Sequence, residues 1–129
     1  MSRTVNAVLL LFALMVTTGC AALVVGAGTG AGVYTWVKGE LIRAYASDFK
    51  HTENATIQAL DYLKININKK TQTASETTIK ASQMDGTPVT IRISTLRYDM
   101  TEVAVRCGYI GYWDRENAEL IHATILKYI

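Results

Sequence analysis

Apolar and polar residues alternate one by one through Val89-Thr90-Ile91-Arg92-Ile93-Ser94, and again through Glu102-Val103-Ala104-Val105-Arg106-Cys107. Successive side chains of an extended chain point to opposite faces, so this pattern predicts strands with one dry and one wet face. A sheet that is dry on one face must be covered there. Related stretches run from Glu40 to Tyr45, from Ile65 to Asn68 and from Thr77 to Met84. Asp85-Gly86 precedes Val89 and predicts a tight hairpin with positive φ at both turn positions. Two helical periodicities supply the cover. In one, between Asp48 and Leu63, Phe49, Thr52, Thr56, Ala59, Leu60 and Leu63 recur near helical spacing, with Ser47 or Asp48 as cap. In the other, Asp114 is the candidate N-cap and Ala118, Ile121, Ile125 and Tyr128 form one stripe. The predicted order is β-α-β-β-β-α. It gives an α+β domain over residues 39–129, an antiparallel sheet with both helices packed on one face.

The N-terminus obeys different rules. Arg3 is followed by an uncharged run, apolar from Ala7 to Val16, which closes on Thr17-Thr18-Gly19-Cys20. A basic start, an apolar stretch and small residues before a cut site predict a secretory signal, residues 1–19. A cysteine directly after the small residues predicts a bacterial lipoprotein, with the Cys20 thiol carrying a diacylglycerol. Thr17 stands where such signals prefer Leu. That leaves three rivals: cleavage after Ala22, an uncleaved anchor, or Cys20 as an ordinary small residue. Ala21, in place of an aspartate, points to the outer membrane facing the periplasm. Residues 20–38 carry glycines at 26, 28, 30 and 32 and read as a flexible tether. The alternative is a membrane helix packed through its four-residue glycine spacing, which makes the chain an integral membrane protein. These glycines lack the strand and the acidic residue that a nucleotide-binding loop needs.

Composition bounds the partners. Of 129 residues, 13 are basic and 11 acidic, so nucleic acid is not an expected partner. With Cys20 acylated, Cys107 has no partner in its own chain, and no disulfide framework is expected.

The junction Gly19-Cys20-Ala21-Ala22, the Gly/Ala run after it and Val37-Lys38-Gly39-Glu40-Leu41 resemble a known family. So do Asp85-Gly86-Thr87-Pro88-Val89-Thr90-Ile91 and Thr101-Glu102-Val103-Ala104-Val105-Arg106, with Gly108 and Gly111 beyond. The family is the small bacterial lipoproteins of domain of unknown function 3568. Tyr109 to Asp114 departs from its pattern. The resemblance implies location and fold, and no catalytic residues or cofactor.

Few residues suggest chemistry. His51 and His122 each sit in a predicted helix without a second ligand at zinc spacing, so both read as structural and no metal is expected. Cys107 with His122 as base is conceivable. However, a thiol on the dry side of a strand is inert. Tyr109, Tyr112 and Trp113 concentrate the aromatics. Their first reading is closure of the core's end, and their second is a partner contact. The chain is therefore expected to be a non-catalytic envelope module that binds or scaffolds. It needs no cofactor, is held to the membrane through Cys20, and has an envelope protein as possible partner. Asn66, Asn68, Thr78, Lys80, Thr90 and Arg92 are candidates for its wet sheet face. The alternative is an enzyme whose site the sequence does not reveal.

Overall fold

The computed structural model describes residues 3–10 and 34–129. Residues 3–10 form a first helix, α1, with exposed side chains. The domain then runs β1 (Thr35–Val37), β2 (Glu40–Tyr45), α2 (Phe49–Tyr62), β3 (Asn66–Gln72), β4 (Glu76–Ser82), β5 (Pro88–Arg97), β6 (Met100–Tyr109), β7 (Tyr112–Trp113) and α3 (Arg115–Tyr128). The sheet is antiparallel in the order β1-β2-β6-β5-β4-β3, with β7 paired to the end of β6. The α+β class, the antiparallel sheet and its helical cover are as the alternation predicts. Two differences stand out. Five strands, rather than three, separate the two covering helices, because the stretch from Ile65 continues as a full strand, Asn66–Gln72, and Tyr112–Trp113 adds β7. And β1 lies inside the stretch read as tether, with Tyr34 and Trp36 packed against the core.

Register explains the core. Leu41, Val105, Ile91 and Ile79 stand side by side across β2, β6, β5 and β4, and all four are completely buried. Val103 and Ile93 form the next row, and Cys107, Val89 and Ala81 the row on its other side. Ala55, Ala59 and Leu60 of α2 and Ala118, Ile121 and Ile125 of α3 close over them. Each large aliphatic side chain buried this way contributes about 1.5–3 kcal/mol. Both helices begin on the predicted caps. The Asp48 carboxylate accepts the His51 amide at 2.8 Å, and that of Asp114 accepts the Asn117 amide at 3.0 Å.

The Asp85-Gly86 turn is longer than predicted. Only Gly86 has positive φ, and the loop closes through a bond from the Gly86 amide to the Gln83 carbonyl. Asp85 caps the next turn, accepting the Thr87 amide at 2.9 Å. The two-residue turn with positive φ at both positions occurs instead between β1 and β2, at Lys38 (49°) and Gly39 (82°).

β3 closes the sheet and is exposed along its whole length. Its pairing with β4 shifts at Asn68, so Lys70 falls opposite Ile79 and lies on the helix-covered face. There it meets Glu53 of α2, whose carboxylate is fully buried. The Lys70 Nζ is 2.7 Å from Glu53 Oε1, and the Lys50 Nζ is 3.4 Å from Oε2. Burial alone would raise this carboxyl's pKa. The Lys70 hydrogen bond and charge, with Lys50 behind them, override it and hold the group below its ordinary value.

Candidate functional site

The registers place three turns at one end of the domain: β1–β2 at Lys38-Gly39, β4–β5 around Asp85, and β6–β7 at Ile110-Gly111. The aromatic group singled out from the sequence lies here. Tyr109 and Tyr112 face each other across the β6–β7 hairpin at 59% and 83% exposure, and Ile110 at its tip is 90% exposed. The two tyrosines therefore do not close the core, which removes the first reading of this cluster for them. Trp113 behaves differently. It is half-buried on the open face of the sheet, its indole pressed against Gly39 where a Cβ would collide with the ring. The Arg106 guanidinium lies 5.0 Å above that ring and donates to the Lys38 carbonyl at 3.2 Å. On the helix side of the same end, Arg115 stacks over Trp36 at 5.8 Å.

The open face carries the polar residues expected of it. Thr78 lies opposite Arg92, Lys80 opposite Thr90, and Asn66 opposite Ser82, to which Asn68 is hydrogen-bonded. Glu40 is the charge centre. It takes the Arg92 Nη2 at 3.0 Å and the Arg106 Nη2 at 3.6 Å. No helix covers this face among the described residues, since α2 and α3 both lie on the other side.

The reactive side chains are enclosed. Cys107 is fully buried, and burial, reinforced by the Asp114 charge, pushes its thiol up to about 12. His122 is also fully buried, and both ring nitrogens are occupied. Nε2 donates to the Leu41 carbonyl at 2.7 Å, which leaves Nδ1 to accept the Tyr45 hydroxyl at 2.7 Å. Burial lowers its pKa to about 4, the Leu41 bond opposes this, and the Arg43 charge adds to it. Neither nitrogen is free to serve Cys107 as a base. His51 is exposed and bonds the terminal carbonyl of Ile129 at 3.2 Å. Among the described residues no three His, Cys, Asp or Glu side chains gather as a metal-ligand set.

One group escaped the sequence reading. Arg43 is 5% exposed on the dry face, held between the rings of Tyr34 (5.3 Å) and Tyr45 (5.0 Å), and donates to the Tyr34 hydroxyl at 3.1 Å. Its place at an inward position of a strand was the available signal, and an arginine there reads as a break in the alternation. Cys20 and the glycine run lie outside the described residues. Among those described, no helix is long and apolar enough to cross a membrane.

The family model described as "Protein of unknown function (DUF3568)" matches residues 4–128, nearly the whole chain. No curated protein matches it.

Proposed function

The chain belongs to the DUF3568 family, and on that premise we propose that it is a membrane-anchored bacterial envelope module, held by a lipid on Cys20, that acts by binding. The observation that carries this reading is the open sheet face. A broad antiparallel sheet is covered on one side by two helices and presents Glu40, Arg92, Arg106, Thr78 and Thr90 on the other. Such a face, rigid in backbone and mixed in charge, suits a protein partner with complementary polar groups. The enclosure of Cys107 and His122 supports binding over catalysis. Neither nucleophile nor base meets solvent, and each is held in its uncharged form near neutral pH.

Two measurements test the proposal. Mass spectrometry of the mature N-terminus is expected to find Cys20 as the first residue with its acyl groups. An unmodified Cys20, or a chain beginning at Leu23, removes the anchor. Crosslinking in intact envelopes through a photoreactive residue at Thr90 is expected to capture a specific protein. Loss of that adduct in Arg92→Glu then assigns the face, and an unchanged adduct refutes the assignment.

A further inference from the structure

We propose that the end of the domain formed by the β1–β2 turn and the β6–β7 hairpin rests on the lipid surface, with the hairpin tip entering the headgroup region. The inference depends on the membrane-anchored reading above and adds to it an orientation and a lipid-contact site.

The first observation is Ile110. A β-branched apolar residue gains nothing from a two-residue turn, where Gly, Asn and Asp are favoured, and at 90% exposure it gains nothing from burial. Tyr109 and Tyr112 flank it with exposed rings that fill no part of the core. Single exposed apolar residues are ordinary, but three within the four residues of one hairpin mark a contact.

The second observation is what surrounds the tip. Trp113 and Trp36 lie behind it on opposite faces of the sheet, and each carries an arginine on its ring, Arg106 and Arg115 respectively. Tyrosine and tryptophan around an apolar tip make the combination that settles at a bilayer interface, where amphipathic rings are favoured. Both arginines are ion-paired, Arg106 with Glu40 at 3.6 Å and Arg115 with Glu119 at 3.0 Å, so the rings rather than the cations make the contact.

The third observation chooses lipid over protein as the occupant. The chain has no charge from Ala7 to Val37, and the first after Arg3 is Lys38, in the β1–β2 turn of this same end. The uncharged stretch of sequence thus runs without interruption into the apolar end of the fold, through Val37, which is itself exposed. The chain enters the fold at Tyr34 and runs down β1 toward this end. Because β1 is only three residues, roughly 10 Å, the end stays within reach of the surface to which the anchor ties the chain. The opposite end, at the β5–β6 turn, exposes Tyr98 beside Arg97 and Asp99 and lacks this continuity.

The chain supplies its own reporter, because Trp36 and Trp113 are its two tryptophans. The full chain, purified from membranes, is reconstituted into phosphatidylethanolamine/phosphatidylglycerol vesicles, with or without bromine on the upper acyl carbons. Flotation and tryptophan emission are read together. The expected result is flotation with strong quenching by the brominated lipid, reduced about twofold or more in the Ile110→Ser/Tyr112→Ser variant, which still floats. Both substituted side chains are exposed, and a thermal melt verifies that the variant stays folded. Flotation without quenching would overturn the lipid contact while leaving the anchor intact, and would assign this end to a protein. Quenching undiminished in the variant would overturn the role of the hairpin. Failure to float would remove the anchored reading and this orientation with it.

Discussion

Tyr45 and His122, 77 residues apart in sequence, share a 2.7 Å hydrogen bond that fixes the neutral imidazole under the sheet. The folded pKa of His122 is about 4, against 6.5 for the free side chain. The unfolded chain therefore takes up a proton that the folded one refuses. Stability should be unaffected by this group above pH 6.5, fall by about 3 kcal/mol as the pH drops towards 4, and level off below. Urea unfolding across that range measures it, and His122→Gln should flatten that limb.

The Glu53–Lys70 pair joins α2 to the last strand. Lys70→Met leaves a buried carboxylate with only Lys50 and Thr77. Because the Lys70 side chain is 35% exposed, the expected cost is about 2 kcal/mol, below the full penalty of a wholly buried pair. Replacing both partners, Glu53→Leu with Lys70→Met, should recover most of it in chemical denaturation. The carboxyl's depressed pKa adds a second acid limb: its stabilisation is present above the ordinary carboxylate range and is lost as the pH falls through it.

Cys107 should resist thiol reagents at pH 8 until the protein unfolds, so that labelling followed with denaturant tracks the unfolding curve. Its raised pKa also predicts falling stability as the pH climbs above 9, where only the unfolded thiol ionises. Rapid labelling of the native protein would contradict the register that turns Cys107 inward.

Two glycines separate turn strain from packing. Gly39→Ala must accept both a φ of +82° and a collision with the Trp113 indole, and should cost about 2–4 kcal/mol. Gly111→Ala, with φ +85° and open space around it, should cost about 1 kcal/mol. Thermal melts distinguish them, and Trp113→Ala should relieve part of the Gly39→Ala penalty in a double-mutant cycle.

Tyr112→Ala should leave stability within about 0.5 kcal/mol of the parent, since its ring is solvated. A large loss would place that ring back in the core.

What the sequence revealed follows from which forces are local. Period-two alternation in Val89–Ser94 and Glu102–Cys107 fixes which face is dry, and the structure buries those residues. The caps Asp48 and Asp114 were legible because capping is decided within three residues. Partners distant in sequence were not legible. Glu53 looks like a solvated helix residue until Lys70 arrives from β3, and Arg43 looks misplaced until Tyr34 and Tyr45 sandwich it. β1 was hidden because Tyr34 to Val37 continues the uncharged run and gives no change of period. At the aromatic cluster, composition put core closure first and partner contact second. Only the hairpin geometry separates the two outward tyrosines from the tryptophan that packs on Gly39.

An anchored protein is concentrated in two dimensions, where neighbouring copies meet edge to edge far more often than in solution. The terminal strand β3 decides what such encounters yield. Its register break at Asn68 interrupts the ladder that an incoming strand would read, and Lys69 and Lys70 set like charges against any second copy of the same strand. The register break thus makes the exposed strand a poor template, and copies crowded on a membrane, as the anchored reading proposes, are expected not to lengthen the sheet from one molecule into the next.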